Sequence, residues 1–479
     1  MATGPLAERP LTGVRQVPAP RGAPRALPAT LAIMRPGAGP FEEGVVLLTP
    51  GRADLARAGW LEASAHAAGR AASEPLLYVV PPRGWRGRTA DRLRRAGWQV
   101  GPPTAHLVAR GMERALVPLD GRTLALAIDV LPVFPAPRRG ARLLAQSASL
   151  RAGVAEVWPR VGMAAWPMGG LPPYDWLADT GDLPPAGVVS LPGWREQDDT
   201  VVVVFTDPLG GDRRVARVMT GNKAPDAEAL VRLGASARAA GARVPELIHC
   251  RKLGERTATV MTWVAGEAAW RRLRSKQSRL APLLEQLTAW LAAWHHDTAC
   301  RAPFSAADME RDLLAPARAL AAEGGIPKAY PNWLAERGAR VLGTPFPWVA
   351  AHNDTTMHNV RLADGGFGII DWESATARSW PLADFEYCAV DAAAAVHGYR
   401  DRVAAWQACF DGDLAGLLAP LRARIADSIE LSAELAELCR HACWLHHAGN
   451  ESRLAAGADR PFLEIARRIA ATATVDLLG

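Results

Sequence analysis

Two apolar runs near the beginning of the chain are each followed by an amphipathic stretch. The runs "GVVLLTP" and "PLLYVVPP" are rich in Val and Leu. The stretches "RADLARAGWLEASAHAAGRA" and "GRTADRLRRAGW" repeat apolar residues at helical spacing. This pattern predicts a β-α-β-α order. A hairpin is predicted next, in "RALVPLDGRTLALAID", because Asp-Gly suits the positive φ angles of a tight turn.

Together these elements predict a small α/β domain over residues 41–180, whose role the sequence does not reveal. No glycine-rich nucleotide fingerprint and no HExxH motif occurs in it. Residues 1–40 are rich in Pro, Arg, Gly and Ala without periodicity, which predicts a disordered leader.

The chain changes character after the linker "ADTGDLPPAG". Runs of β-branched residues, such as "TVVVVFTD" and "RRVARVMT", predict antiparallel strands, and "DAEALVRLGASARAAG" predicts a helix among them. These segments predict a small lobe over residues 185–266. From 267 to 479 the apolar spacing becomes helical, as in "LAPLLEQLTAWLAAWHH", which predicts a helical lobe.

Composition limits the classes of function. The 479 residues favour two or three domains, and 49% hydrophobic with 22% charged residues is typical of a soluble globular protein. The net charge is +6, but no basic run with interleaved aromatics stands out, so we expect no nucleic-acid partner. The sequence shows neither a secretion signal nor an apolar window long enough for a membrane span, so we expect a cytoplasmic protein. We expect its six cysteines, which include no CxxC pair, to be reduced.

Polar side chains concentrate in "AHNDTTMHNVRLADGGFGIIDWESA", residues 351–375. "NVRL" and "FGIID" flank "ADGG", which predicts a hairpin. Asn359 and Asp371 are symmetric about Gly365, so they would face each other across the pair unless a bulge shifts the register by one residue. Their oxygens would suit Mg²⁺. Asp354, in the loop before the hairpin, can reach the same place and accept a proton from an attacking hydroxyl.

The spacing His352-x-Asp354-x-x-x-x-Asn359, followed by a hairpin that ends in an Asp, resembles the catalytic loop of kinase-like phosphotransferases. "IDWE" in place of Asp-Phe-Gly resembles the aminoglycoside phosphotransferase and choline kinase family. The resemblance covers residues 185–479. It implies an α+β, bilobal protein-kinase-like fold with an antiparallel small lobe and a helical large lobe, here preceded by the small α/β domain.

The resemblance also implies roles for single residues. Asp354 would be the catalytic base, and Asn359 and Asp371 would be the Mg²⁺ ligands. His352 would hold the loop through hydrogen bonds.

For two further acidic residues, the sequence leaves two roles open. Glu373 either joins the metal shell or solvates the turn. Asp384, in "PLADFEY", either steadies the catalytic loop or supplies a charge at a helix N-terminus.

The resemblance assigns the ATP site to the small lobe. "VMTWVAG", which includes Met261 and Trp263, would be the lobe connector whose backbone binds adenine, and Gly193 would mark the turn over the phosphates. Arg217 stands where the family places a lysine that binds the ATP phosphates, and Glu228 on the following helix would be its ion-pair partner. This exchange alters the phosphate contact, because a guanidinium is longer and forked.

We therefore expect an ATP- and Mg²⁺-dependent phosphotransferase acting on a hydroxyl of a small molecule, with a sugar or sugar-like acceptor as the first expectation. One alternative is a Ser/Thr kinase for a peptide in natural-product biosynthesis, with the N-terminal domain holding the peptide. Another is a pseudokinase that serves as a binding or scaffold module, an alternative motivated by Arg217 and by the large N-terminal domain of unassigned role.

Overall fold

The structure is a computed structural model, and its chain divides into two compact units. Among the described residues, the first unit comprises those between Met1 and Ala224 and those of Leu247–Trp263, and the second comprises Pro225–Glu246 and those of Val264–Gly479. The described residues are 14–16, 45–71, 76–82, 84–109, 112–118, 161–169, 174, 177, 186–192, 200–206, 212–221, 224–254, 256–452 and 459–475.

A twelve-stranded sheet forms the first unit. Its strands are β1 (Val14–Gln16), β2 (Val45–Leu48), β3 (Leu76–Val79), β4 (Trp98–Val100), β5 (Thr104–Ala109), β6 (Met112–Pro118), β7 (Val161–Pro167), β8 (Ala186–Pro192), β9 (Val201–Thr206), β10 (Arg213–Thr220), β11 (Leu247–Leu253) and β12 (Arg256–Thr262). The strand order is β1-β2-β3-β7-β5-β6-β8-β9-β10-β12-β11, and β4 also pairs with β7. Its helices are α1 (Arg52–Ala56), α2 (Trp60–Ala71) and α3 (Arg86–Arg95).

The predicted β-α-β-α order is confirmed, because β2 and β3 are parallel strands joined through α1 and α2, and α3 follows β3. The strands predicted after residue 185 are also confirmed: β9 pairs antiparallel with both β8 and β10. For the hairpin predicted around Asp120 and Gly121, only the first strand lies within the described residues. That strand, β6, pairs with β5.

Both faces of β3 are buried, which explains its unbroken apolar run. Leu77 and Val79 pack with residues of the helices α1 to α3, whereas Leu76 and Tyr78 pack in a second core cluster. That second cluster also contains Val203 and other side chains of β9 and β10. Strands from both sides of the predicted boundary near residues 180–185 therefore share one sheet and one core.

The second unit is mainly helical. Its helices are α4 (Pro225–Ala239), α5 (Ala269–Leu273), α6 (Leu280–Thr298), α7 (Ala306–Met309), α8 (Ala315–Ala322), α9 (Tyr330–Ala339), α10 (Ala383–Val396), α11 (Arg402–Phe410), α12 (Ala415–Ser428), α13 (Ala433–Ser452) and α14 (Pro461–Val475). A π-helical turn, Glu310–Leu314, joins α7 to α8. The predicted helical character of this region and the α+β class are thus confirmed. Among the described residues, no helix is long and apolar enough to cross a membrane.

Two small sheets complete the second unit and carry the polar cluster. One has the order β13 (Glu267–Ala268), β16 (Val360–Ala363) and β17 (Gly366–Ile369), and the other has β14 (Cys300–Pro303), β15 (Pro345–Ala351) and β18 (Thr376–Ser379). The loop between β15 and β16 holds residues 352–359. Every residue of helix α10 except the first, Ala383, is buried, as the helix's apolar composition predicts.

Candidate active site

The loop between β15 and β16 presents Asp354 beside Asn359. The Asn359 side-chain amide donates from Nδ2 to the Asp354 Oδ2 at 2.8 Å and to its backbone carbonyl at 3.0 Å. Two backbone turns fix this shape, since the Thr356 N–H donates to the Asp354 carbonyl at 2.8 Å and the Asn359 N–H to the Thr356 carbonyl at 2.9 Å. The five-residue spacing read from the sequence is therefore the spacing of one closed loop.

The Asp354 carboxyl has a perturbed pKa. Burial raises the pKa of Asp354 to about 7, the negative charge of Asp371 acts in the same direction, and the hydrogen bond from Asn359 opposes both. A carboxylate that titrates near neutral pH can both take and return a proton. The influence of Asp371 on this pKa also indicates that the two carboxyl groups lie near each other.

The hairpin register differs by one residue from the predicted one. Val360 pairs with Ile369 and Leu362 with Phe367, so the pairing is symmetric about the Asp364-Gly365 bond rather than about Gly365. Asn359 accordingly faces Ile370, whose N–H donates to the Asn359 carbonyl at 3.1 Å. The prediction that Asn359 faces Asp371 directly is wrong, because the turn has two residues and not three.

Asp371 lies one residue beyond the last pair and has a left-handed backbone, with φ 68° and ψ 68°. A residue other than Gly is strained there, and such strain is concentrated at functional sites. Asn353, with φ 60°, and Leu382, with φ 66°, share this conformation. Of these three residues, Asn353 lies in the loop of Asp354, Asp371 follows the hairpin and Leu382 directly precedes α10.

His352 connects this loop to the strand that leads to Asp371. Its Nε2 donates to the Ile370 carbonyl at 3.1 Å, and its ring packs edge-on against Trp372 with centroids 5.0 Å apart. The side chain is fully buried, and burial lowers the pKa of His352, which favours the neutral ring. This geometry fits the structural role that the resemblance implies.

Two buried carboxylates of α10 anchor the loop by accepting hydrogen bonds from its backbone. Asp384 accepts the N–H of His352 at 2.7 Å and the N–H of Asn353 at 2.8 Å. Asp391, two helical turns further on, accepts the N–H of Met357 at 2.7 Å. The first and second halves of the loop are thus each anchored to α10 by one acid.

Asp391 has two more partners and was missed in the sequence. It accepts the Tyr399 hydroxyl at 2.9 Å and the Arg402 guanidinium at 2.8 Å. The one signal was a charged residue within the apolar run "CAVDAAAAV", since a buried acid needs compensating partners. The reading of Asp384 as a loop anchor fits the hydrogen bonds described above.

The other predicted site residues are positioned as follows. Glu373 is exposed in the single 3-10 turn that follows Asp371. Arg217 lies in β10, in register with Val202 of β9 and Thr259 of β12. The roles of Glu373 and Arg217 stay predictions.

The predicted ATP-binding residues divide between the two units. Met261 is buried in β12, and the N–H of Trp263, just after that strand, donates to the Arg213 carbonyl at 3.1 Å. Glu228 belongs to α4 of the second unit and is exposed. Gly193 lies outside the described residues. The nucleotide contacts and the ion pair of Glu228 stay predictions.

A loop that sets an Asp of near-neutral pKa against an Asn amide and a second Asp, and that is anchored on a buried helix, fits the catalytic loop that the sequence resemblance implies. The family model described as APH, phosphotransferase enzyme family, matches residues 193–448, more than half of the chain. The chain therefore belongs to the phosphotransferase enzyme family. This confirms the resemblance drawn from the sequence and the expected enzyme class, a phosphotransferase with a hydroxyl acceptor.

Solved structures of aminoglycoside phosphotransferases are similar to this chain. APH(3'')-Id from Streptomyces rimosus has 16% identity and a TM-score of 0.30, with 50% of this chain and 89% of that chain covered. A thermostable mutant of APH(4)-Ia with ADP and hygromycin B has 15% identity and a TM-score of 0.37, with 62% and 96% covered. APH(2'')-IIa with gentamicin has 11% identity and a TM-score of 0.32, with 58% and 87% covered. Among curated proteins, none matches the chain.

Proposed function

We propose that this protein transfers the terminal phosphoryl group of ATP to a hydroxyl of a small molecule, with Mg²⁺ as its metal. The observation that carries the proposal is the cluster of Asp354, Asn359 and Asp371 on one anchored loop and hairpin. Phosphoryl transfer requires positioning and charge neutralisation more than covalent chemistry by the protein. Oxygen-bearing side chains held by backbone hydrogen bonds meet that requirement.

The donor set fits a magnesium ion. Nδ2 of Asn359 makes both hydrogen bonds to Asp354, so the amide oxygen is the atom of this side chain that would serve as ligand. The Asp371 carboxylate would supply the second oxygen. Mg²⁺ prefers such hard ligands and keeps its other positions for water and phosphate oxygens. When bound, the ion would neutralise charge on the phosphate groups.

Asp354 would orient the acceptor hydroxyl and take its proton. The hydrogen bond from Asn359 to one oxygen of Asp354 restricts the rotamers of this side chain, so the carboxylate is held in one position. The bonds from His352 and Asn353 to Asp384 hold the preceding backbone in place. Pre-organisation of this kind lowers the cost of reaching a reactive geometry.

For the acceptor, we propose a sugar or sugar-like compound. The motifs "HNDTTMHN", "DWESA" and "PLADF" resemble those of family members associated with polysaccharide or natural-product pathways. A cytoplasmic location is part of the proposal, since ATP is the donor and all six cysteines are free thiols.

The pseudokinase alternative rests on two features, Arg217 in place of a lysine and the large N-terminal domain of unassigned role. It predicts weak or metal-independent nucleotide binding and no transfer.

A screen with radiolabelled ATP tests the proposal. The full chain is incubated with neutral sugars, aminosugars, phenolic glycosides and Ser/Thr peptides, with Mg²⁺ or with a chelator. We expect label transfer to at least one small-molecule class, lost in the chelator. Transfer to peptides alone would favour the peptide kinase, and label in no acceptor, together with Mg²⁺-independent ATP binding, would favour the pseudokinase.

A further inference from the structure

His358 lies in the catalytic loop directly before Asn359, and its ring packs against two other rings. The ring centroid of Trp270, in α5, lies 5.3 Å from that of His358, with the ring planes tilted by 30°. Tyr399, in the connection between α10 and α11, has its centroid at 5.3 Å and its plane at 26°. Offset rings at such distances attract each other. The imidazole is therefore held by rings from two elements that are distant in sequence.

Tyr399 is itself held in place by Asp391. Its hydroxyl donates to Oδ2 of Asp391 at 2.9 Å. The Arg402 guanidinium donates to Oδ1 of the same acid at 2.8 Å and lies 4.8 Å from the Tyr399 ring centroid. Asp391 also accepts the Met357 N–H. One buried acid therefore fixes both the loop backbone and a ring against which His358 packs.

Trp270 contacts the loop through its backbone as well as its ring. Its N–H donates to the Met357 carbonyl at 3.1 Å, and the Met357 N–H donates to Asp391 at 2.7 Å. Both backbone polar groups of the residue before His358 are thus bonded, one to α5 and the other to α10. The backbone that leads to Asn359 is held from two sides.

The strand that follows Asn359 is joined to the beginning of α5. Helix α5 starts directly after β13, and β13 pairs antiparallel with β16. Gly266, just before β13, has φ 133°, and a Cβ there would lie 2.8 Å from the Leu362 carbonyl oxygen. This close approach of two backbones requires glycine. The segment that carries Trp270 is therefore built onto the strand that begins next to Asn359.

The exposure of His358 distinguishes it from a core residue. Its side chain is exposed, whereas Met357 and Asn359 on either side of it are buried. Substitutions at exposed positions usually change the stability of the whole protein little. A change at His358 should therefore act on the local position of the loop rather than on folding.

We propose that His358, through its packing against Trp270 and Tyr399, is a positioning residue that fixes the orientation of Asn359. The inference rests on the proposed function, in which Asn359 binds Mg²⁺ and orients the Asp354 carboxylate. The ring surfaces carry the role, and the imidazole nitrogens do not. Loss of a residue that orients a metal ligand typically costs about 10-fold to 100-fold in metal affinity or activity.

Two variants separate ring packing from imidazole chemistry. His358→Ala should lower the kcat of transfer by about tenfold and raise the Mg²⁺ requirement, with the KM for ATP within about twofold of the parent. His358→Phe keeps the ring contacts and should restore the parental values. His397→Ala, at the exposed position directly after α10, is the control. A parental kcat in His358→Ala, or a His358→Phe protein equally impaired, would overturn the proposal.

Trp270→Ala tests the partner ring, because it removes the indole and keeps the N–H that binds Met357. If the two rings act through their mutual contact, the double variant with His358→Ala should lose about as much kcat as His358→Ala alone. Losses in kcat that multiply in the double variant would show that the rings act independently and would overturn the role of the packing.

Hydrogen exchange of residues 352–360, measured without ATP, is a readout that needs no transfer. We expect these amides to exchange about tenfold faster in His358→Ala and at the parental rate in His358→Phe and His397→Ala, because the ring contacts oppose local opening. Parental exchange in His358→Ala would overturn the positioning role and leave the phosphotransferase standing. The expected exchange pattern in a parent protein that transfers label to no acceptor would support the positioning of the loop and contradict the proposed function.

Discussion

Asn359 donates from one nitrogen to two oxygens of Asp354, the carboxylate Oδ2 at 2.8 Å and the backbone carbonyl at 3.0 Å. One amide therefore orients the proposed base with its nitrogen and leaves its oxygen for a metal. The two roles implied for the pair are physically linked, so a change at either residue should affect both proton transfer and metal use.

If Asn359 and Asp371 bind the metal, removing either side chain should raise the Mg²⁺ concentration that transfer requires. Asn359→Ala should raise the Mg²⁺ concentration for half-maximal transfer by about tenfold, and Asp371→Ala should raise it further because it removes a full charge. Asp364→Ala, at the exposed turn of the same hairpin, is the control. A magnesium titration that is identical in all four proteins would contradict both ligand assignments.

Asp391 holds the catalytic loop in place through the Met357 N–H, so a change at Asp391 should lower turnover. Asp391→Asn weakens the anchor of the Met357 N–H and leaves the partly buried Arg402 without its charge partner. We expect a fall in kcat with little change in the KM for ATP, and a loss of about 3 kcal/mol in the free energy of unfolding. Asp411→Asn, at an exposed position, is the control. An unchanged kcat in a correctly folded Asp391→Asn protein would remove this positioning role.

Three buried histidines and the partly buried His447 predict acid sensitivity. Burial lowers the pKa of His295 and His441 to about 3 and also lowers the pKa of His352 and His447. A group whose folded pKa is lowered binds its proton in the unfolded chain first, so stability is lost as pH falls below about 6.5. Each such group contributes a slope of up to about 1.4 kcal/mol per pH unit.

Urea unfolding at pH 7.5 and pH 5.5 measures this slope. The His441→Gln variant should lose stability less steeply than the parent between the two pH values, since one of the titrating groups is gone. His397→Gln, at an exposed position, should retain the parental slope. A parental slope in His441→Gln would show that this histidine does not contribute.

In an active enzyme, Arg217 would replace the family's lysine and keep its positive charge beside the ATP phosphates. Its guanidinium would bind phosphate oxygens, so Arg217→Met should lower kcat/KM for ATP by about tenfold or more, the scale of one or two charge-assisted hydrogen bonds. Arg217→Lys should retain or increase activity. Lys252→Met removes an exposed charge from the same sheet and serves as control. Equal kcat/KM for ATP in all three variants and the parent would contradict a phosphate-binding role of Arg217.

The sequence allowed the parts of the site that depend on local spacing to be predicted. Asp354 and Asn359 are five residues apart in one loop, so their contact follows from the loop alone. The hairpin register was missed by one residue because "ADGG" is compatible with turns of two or three residues. The left-handed backbone at Asp371 then determines where its carboxylate lies, and no residue type in "IIDWE" signals that conformation.

Features that depend on distant parts of the chain could not be predicted. Asp391 contacts the loop across 34 residues, through the packing of α10. The sheet that joins β2 and β3 to β9 and β10 is equally non-local, since strand patterns show which faces are buried but not which strands pair. A cavity of about 340 Å³ in the second unit is likewise non-local, since its wall combines residues of β15, β18, α10 and α13.

The central claim is that Asp354 is the base of an Mg²⁺-dependent phosphotransferase, and label transfer from ATP tests it most directly. The parent, Asp354→Asn and Asp364→Asn are compared with one acceptor at saturating Mg²⁺, and ATP binding is measured on each. The account predicts a fall of at least about a hundredfold in kcat for Asp354→Asn, with ATP binding retained and Asp364→Asn unaffected. Turnover near the parental rate in Asp354→Asn would contradict it.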